Sequence, residues 1–245
     1  MRDLHAFAER AVSPDLLGLA PLAEAPPVRV LSIGCSCINR FQFEFFVRRH
    51  PEATTCFPRG LFDWNIASLD ATLTALELVN AHRLIDTLSD VSLFRAEYGS
   101  LIFNAALPGF SFFHEKEPDA LLVDPDRANA FLGKLSHLAD PFVAPDLSLR
   151  THIVWSNIQP NLPDTVENVI PWASFQLTQD RYTRAKDACR MIFGQGCAFS
   201  FISTPADMDE ALSNQPDVQV VDLPRGPDYK GAPTLFEDIL KNALS

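Results

Sequence analysis

The feature that most constrains the fold of this chain is an apolar segment that turns through a glycine into a helix. Residues 28–33 are mostly valine, leucine and isoleucine, and Gly34 follows them, which is the pattern of a short buried strand. Helical spacing begins at Cys37, because Cys37, Phe41 and Phe45 recur at every fourth position. In such a turn the free N–H groups and the positive dipole end of the helix face the open end of the sheet. The sequence therefore predicts a ligand site at residues 34–37.

Strand and helix patterns alternate in the second half of the chain. Strands are predicted at residues 151–156, 197–202 and 218–223, and helices at residues 126–138, 174–193 and 235–244. This alternation favours βαβ units, so we predict a single three-layer α/β domain over residues 1–245 with a mostly parallel sheet. Residues 1–27 are expected to form a short amphipathic helix and a lead-in to the first strand.

Residues 51–120 show a less regular pattern, and we predict an irregular insertion or lid there. Within it, Ser68 is expected to cap a helix that runs from Leu69 to about Leu78. Two short strands are predicted at residues 98–104 and 110–115 on either side of a Pro-Gly turn, where they can pair as an antiparallel unit.

Composition and charge exclude several classes of protein. A chain of 245 residues that is 47% hydrophobic is globular. A net charge of -11 argues against broad binding to a nucleic-acid backbone, which needs clustered lysine and arginine, although a local site for a small anion stays open. The sequence contains no run of about 18 apolar residues, so no membrane span is expected. Charged residues such as Asp3 and Glu9 argue against a signal peptide, so the five cysteines are expected to be reduced in a cytoplasmic protein.

The predicted parallel sheet suggests where chemistry can occur, because sites in open parallel sheets form at the carboxyl ends of the strands. Four such ends carry polar residues or cysteines: 34–37, 156–157, 203–204 and Asp222. Cys37 lies at the start of a helix, whose positive end favours the thiolate, and the thiolate is the nucleophilic form of cysteine. Asp63 and His114 reach the same edge if the insertion folds over the sheet.

Four short motifs occur in a fixed order along the first half of the chain: Ser32-Ile33-Gly34-x-x-Cys37, Phe62-Asp63-Trp64, Tyr98-Gly99 and Phe112-Phe113-His114-Glu115. Together they resemble the papain-like cysteine peptidase family, a bacterial family of unknown function with Ser-Leu-Gly-x-x-Cys, Phe-Asp-Trp and Phe-x-His-Asp motifs. The resemblance covers about residues 28–120, with weaker similarity at 151–156. Ile33 and Glu115 depart from the family's leucine and aspartate. The resemblance implies Cys37 as nucleophile, His114 as base and Asp63 as an acid.

These residues predict a cysteine-dependent hydrolase or acyltransferase that works through an acyl-enzyme. Cys37 would attack an acyl or thioester carbonyl, and N–H groups of the turn would hold the oxyanion. Asp63 or Glu115 would orient the imidazole. The remaining candidate binding residues surround this turn or follow the strand predicted at 151–156: Gly34, Cys35, Ser36, Arg40, Trp64 and Asn157. His152 is the alternative candidate for the base. No metal is expected, because no Cys/His cluster has zinc spacing, and no cofactor is expected either.

Two other functions are open at this stage. A non-catalytic α/β domain would bind a small anionic or sugar-nucleotide ligand at the Gly34–Cys37 turn, with the cysteines only packing. A glycan-modifying enzyme is suggested by aromatic residues around Trp64 and at residues 110–113. The expected substrate of the enzyme is a small molecule or a peptide-like acyl compound, with no nucleic acid or membrane partner. The oligomeric state is left open.

Overall fold

A four-stranded parallel sheet forms the centre of the fold. A computed structural model describes residues 27–97, 101–222 and 228–245. The strands lie in the order β1-β6-β7-β8, where β1 is Val28–Ser32, β6 is Arg150–Ser156, β7 is Ala198–Ser203 and β8 is Val218–Val220. All three pairings are parallel, and Ser32 lies opposite Val154 in the register. The prediction of an α/β fold with a mostly parallel sheet is confirmed in this part of the chain.

Each face of the parallel sheet packs against its own apolar cluster, because side chains alternate between the two faces of a strand. On one face, Val30 and Val154 join a cluster with apolar residues of α1 and α8. On the other face, Leu31 and Trp155 join a larger cluster with residues of α2, α5 and α7. The helices are α1 (Ile38–Arg49), α2 (Leu69–Asn80), α3 (Leu84–Ser89), α4 (Pro118–Val123), α5 (Pro125–Val143), α6 (Leu162–Val166), α7 (Gln179–Phe193) and α8 (Glu237–Leu244).

Residues 51–120 contain a second sheet, which is antiparallel. Its strand order is β2-β5-β4-β3, formed by β2 (Ile66–Ala67), β5 (Phe110–Phe112), β4 (Leu101–Asn104) and β3 (Phe94–Glu97). The predicted antiparallel pairing of two of these strands is confirmed, with Phe103 opposite Ser111. Apolar side chains of both inner strands, β5 and β4, are buried in the main core.

The two sheets are joined at the turn that follows β1. Cys35 forms an antiparallel bridge with Ala67, whose N–H donates to the Cys35 carbonyl oxygen at 2.9 Å. The Cys35 N–H in turn donates to Ser156 O at 3.1 Å, which keeps the turn attached to β6. Backbone hydrogen bonds therefore fix the turn between the carboxyl end of the parallel sheet and the first strand of the antiparallel sheet.

Local sequence signals account for most helix boundaries. Ser68 caps α2 by accepting a hydrogen bond from Ala71 N, as predicted, and Thr178 caps α7 in the same way. Helix α7 begins at Gln179 rather than at residue 174, because residues 172–175 form a separate 3-10 turn. The helix predicted within residues 1–27 and the Tyr98-Gly99 motif lie outside the described residues. Among the helices that the structure describes, none is long and apolar enough to cross a lipid bilayer.

Candidate active site

The turn after β1 is held by one buried polar side chain of α1. The Asn39 amide donates to Gly34 O at 2.7 Å and to Ser32 Oγ at 3.0 Å, and its Oδ1 accepts from the Ser156 hydroxyl. Gly34 has φ +111°, and a Cβ there would lie 3.2 Å from Thr72 Oγ1. The glycine is therefore required both by backbone conformation and by the close approach of α2. This arrangement presents Cys37 at the first turn of α1.

A cavity of about 270 Å³ opens beside Cys37. It lies where the turn, the antiparallel sheet, the segment after β6 and the segment before α8 meet. Four aromatic side chains form much of its wall, and polar groups are few. Its lining residues are Cys37, Phe41, Trp64, Asn65, Ile66, Phe113, His114, Gln159, Asn161, Thr165 and Tyr229. Three of the sequence-predicted site residues, namely Cys37, His114 and Trp64, are thus brought to one cavity.

Cys37 is half-buried at the N-cap position of α1, and no side chain caps this helix end. Its thiol donates to Gln159 Oε1 with a sulfur–oxygen distance of 3.7 Å. Burial raises the pKa of Cys37 to about 11, an effect that a backbone hydrogen bond opposes. The expectation that the helix end favours the thiolate is therefore not met in this structure, because desolvation disfavours the charged form more strongly.

His114 follows β5 and enters the cavity wall beside two aromatic rings. Its ring centroid lies 5.8 Å from that of Trp64 and 5.4 Å from that of Phe113, both in edge-to-face geometry. Partial burial lowers the pKa of His114, and the positive charge of Lys134 lowers it further, while Glu115 acts in the opposite direction. The imidazole is therefore neutral near pH 7 and retains a basic nitrogen.

Asp63 is buried below the cavity and is absent from its lining. Its Oδ2 accepts from Gly60 N at 2.8 Å and lies 3.6 Å from Arg40 Nη1. Burial raises the pKa of Asp63 to about 6, although the Arg40 charge opposes the shift. Arg40 also pairs with Glu44 and donates to Phe57 O. In this geometry Asp63 anchors the loop that carries Trp64, and it makes no contact with His114.

Three further candidate residues are buried beside the site and do not line its cavity. Cys35 is fully buried, donates to Ser156 O at 2.6 Å, and has its pKa raised by burial. Ser36 is also fully buried. Asn157 is buried as well and donates to the carbonyl oxygens of Phe175 and Asp207. None of the three lines the cavity that holds Cys37.

His152 is separated from Cys37 by the length of β6. It lies opposite Val30 in the sheet register and lines a different depression, together with Val28 and Arg150. Its Nε2 lies 2.9 Å from Ser200 Oγ, and burial lowers the pKa of His152 to about 4. Of the two candidate bases, only His114 shares a cavity with the thiol.

Sequence reasoning missed several cavity residues, of which Gln159 contacts Cys37 directly. Gln159 is 5% exposed, and its Nε2 donates to Asn161 Oδ1 at 2.8 Å. Both residues follow the carboxyl end of β6, so their position after a predicted strand was an available signal. Tyr229 carried no such signal, because its place depends on Gln42 of α1, which donates to Lys230 O and Ala232 O.

The arrangement offers nucleophilic and general-base chemistry rather than a cluster of metal ligands. Within the described ranges, no group of three or more histidine, cysteine, aspartate or glutamate side chains is placed to hold a metal ion. Compared with protein-family models, with curated proteins and with solved structures, the chain matches none of them.

Proposed function

We propose that this protein is a cysteine-nucleophile hydrolase or acyltransferase that acts through a thioester acyl-enzyme at Cys37. The observation that carries the proposal is that Cys37 and His114, from segments far apart in the chain, line one cavity. A thiol and a basic imidazole that line the same concave, mostly apolar cavity are the groups that covalent acyl transfer uses. The resemblance of the motifs to the papain-like cysteine peptidase family supports the same chemistry.

The shifts in the pKa values of Cys37 and His114 favour a neutral thiol and imidazole rather than a preformed thiolate–imidazolium ion pair. Because the pKa of Cys37 is raised and that of His114 is lowered, both groups are uncharged at neutral pH. The thiol proton then passes to a His114 ring nitrogen as Sγ attacks the carbonyl carbon. His114 returns that proton to the leaving group when the bond between carbonyl and leaving group breaks. Water hydrolyses the resulting thioester, or a second substrate accepts the acyl group.

Oxyanion stabilisation has two sources in this proposal. The first turn of α1 has no side-chain cap, so its N–H groups are available to the negative oxygen that forms beside Cys37. Gln159 is the second source. Its Oε1 accepts from the resting thiol, and once the thiol has lost its proton the amide can turn its N–H group towards the site. Reorientation within the Gln159–Asn161 amide pair keeps their mutual hydrogen bond.

The cavity favours a small, largely apolar acyl group. Its volume of about 270 Å³ is at the low end of small-molecule sites, which span roughly 300–1,000 Å³. The rings of Phe41 and Trp64 meet edge to face at 5.2 Å, and Phe41 also contacts Tyr229 at 5.5 Å. In this proposal the parallel sheet and the helices on its two faces form a three-layer scaffold of one domain. We also propose that the protein is cytoplasmic, where reducing conditions keep the thiol free.

The test is acylation of the purified protein by 4-nitrophenyl acetate, followed by mass spectrometry of the peptide that contains Cys37. We expect an acetyl adduct on Cys37, absent from Cys37→Ala, and a rate at least about 100-fold lower in His114→Ala. The matched control is Cys56→Ala, since Cys56 is also half-buried but lies outside the cavity. Release of 4-nitrophenol that continues beyond one equivalent indicates hydrolysis. Absence of an adduct on Cys37 would overturn the proposal.

A further inference from the structure

Lys230 is a half-buried residue whose ammonium group lies beside the cavity. Its Nζ lies 5.1 Å from the ring centroid of Phe41 and 5.1 Å from that of Tyr229, and both rings line the cavity. Within the part of the chain that the structure describes, no carboxylate forms an ion pair with this ammonium group. Lys186, the other half-buried lysine described, has a carboxylate partner, Asp217, at 2.5 Å.

The position of Lys230 is fixed by its own backbone. Gln42, which is 1% exposed, donates to Lys230 O at 2.7 Å and to Ala232 O at 3.0 Å. The Lys230 N–H donates to Asp228 Oδ1 at 2.9 Å, and Gly231 continues the turn with φ +67°. Two aromatic faces then hold the ammonium group by cation–π attraction, which is stronger at partly desolvated sites. The ammonium group is therefore held against two rings of the cavity wall, although Lys230 itself is not among the described residues that line the cavity.

The surroundings of the cavity reinforce this positive potential. Among the described residues that line the cavity, none is an aspartate or glutamate, although the chain carries 31 acidic against 20 basic residues. The uncapped start of α1 adds the positive end of a helix dipole next to Cys37. The described residues place no carboxylate in the cavity wall and no ion-pair partner on the neighbouring ammonium group. In a protein with a net charge of -11, this combination favours an anionic ligand.

We infer that the substrate carries an anionic group, a carboxylate or a phosphate, which Lys230 binds while the apolar part occupies the aromatic cavity. This inference rests on the proposed function for the reactive carbonyl, but the charge recognition stands on the geometry of Lys230 alone. Phe41 and Tyr229 then have a double role, since they form the wall for the apolar part and hold the cation in place.

The experiment measures protection of Cys37 from alkylation and needs no turnover. Cys37 is alkylated with iodoacetamide at pH 9, and its modification is followed by peptide mass spectrometry in the presence of benzoate, benzamide or phenyl phosphate. Benzoate and benzamide have nearly the same shape but differ in charge. We expect half-protection by benzoate at about tenfold lower concentration than by benzamide, since a single charge-assisted contact contributes on this scale. The phenyl phosphate arm distinguishes a phosphate from a carboxylate preference.

Two substitutions separate a specific contact from net charge. Lys230→Gln should remove the preference for the anion, whereas Lys230→Arg should keep it. Lys116→Gln makes the same change in net charge at an exposed lysine outside the cavity, and it should leave the preference intact. Equal protection by benzoate and benzamide in the wild type, or an unchanged preference in Lys230→Gln, overturns the inference. Failure of the proposed function would appear in a different experiment, as absence of the acetyl adduct on Cys37 after treatment with 4-nitrophenyl acetate. The alkylation experiment does not depend on that adduct.

Discussion

At the scale of single residues, the thiol of Cys37 and the amide of Gln159 form the contact that best defines the site. They are 122 positions apart in the chain, and the thiol donates to the amide oxygen. In that hydrogen bond the neutral thiol is the donor, and burial raises the pKa of Cys37 to about 11. Under the proposed function, Cys37 therefore stays protonated in the resting site and loses its proton to His114 only when a substrate is bound.

Substitution of Gln159 separates its two roles. Ester acylation passes through an oxyanion, whereas alkylation by iodoacetamide is a displacement at saturated carbon and forms none. In Gln159→Ala we expect the acylation rate with 4-nitrophenyl acetate to fall about 100-fold, the cost of one lost oxyanion donor. Alkylation of Cys37 should stay within about threefold of wild type, because the thiol loses only a weak hydrogen-bond acceptor.

The matched control for that substitution is Gln176→Ala, a half-buried glutamine outside the cavity, which should change neither rate. Parallel losses of acylation and alkylation in Gln159→Ala would indicate that Gln159 only shapes the site. That result would contradict its role in stabilising the oxyanion.

At the scale of elements, the strand–turn–helix that begins at Val28 organises both sheets. The turn is bonded to β6 through Cys35 N–H and to β2 through Cys35 O. Gly34 permits the turn because φ +111° is a conformation that side chains other than glycine rarely adopt. The same position leaves little space, since Thr72 of α2 lies against it.

Two glycine substitutions should change the free energy of unfolding in opposite directions. Gly34→Ala should lower the free energy of unfolding by about 1–3 kcal/mol, through backbone strain and contact with Thr72. Gly133→Ala lies in the interior of α5 with no atom within 4 Å of the added Cβ, and it should raise stability by about 0.5–1 kcal/mol. Urea denaturation followed by circular dichroism measures both. Equal stability of Gly34→Ala and wild type would contradict the requirement for glycine.

Prediction from sequence succeeded where the signal is local. The spacing after Gly34 predicted α1, and Ser68 predicted the start of α2, because caps and apolar periodicity act over a few residues. It failed where position depends on distant partners. Asp63 was expected to act with His114, yet its carboxylate is buried against Gly60 and Arg40. No residue close to Tyr229 in the sequence indicates that Gln42 of α1 donates a hydrogen bond to Lys230 O and so fixes the backbone next to Tyr229.

At the scale of the whole molecule, the buried Asp63 and the half-buried His152 change the stability with pH in opposite senses over one pH range. The pKa of Asp63 is raised from 3.8 to about 6, so the folded state binds that proton more tightly and loses stability as pH rises from 4 to 6. The pKa of His152 is lowered from 6.5 to about 4, so the folded state loses stability as pH falls from 6.5 to 4. The two contributions largely cancel between pH 4 and 6.

Substitution of either titratable group should reveal the pH dependence of stability that the other group contributes. In Asp63→Asn, which keeps an oxygen for the Gly60 N–H, we expect the free energy of unfolding to rise by about 2 kcal/mol between pH 4.5 and pH 6.5, whereas the wild-type profile stays nearly flat over this range. In His152→Gln the slope should have the opposite sign. Urea midpoints at three pH values measure both, and Asp119→Asn at an exposed position is the control. A profile for Asp63→Asn that runs parallel to wild type would show that burial does not perturb this carboxyl.

The bridge between Cys35 and Ala67 has a consequence for how selectivity can change. It sets the separation of the two sheets through main-chain atoms alone, independently of the side chains at that junction. The aromatic rings around the thiol come from four separate segments, at Phe41, Trp64, Phe113 and Tyr229. Since this bridge does not depend on those rings, each ring can be exchanged for a larger or smaller one while Cys37 keeps its position. Such a scaffold can acquire new ligand preferences by single substitutions in the cavity wall.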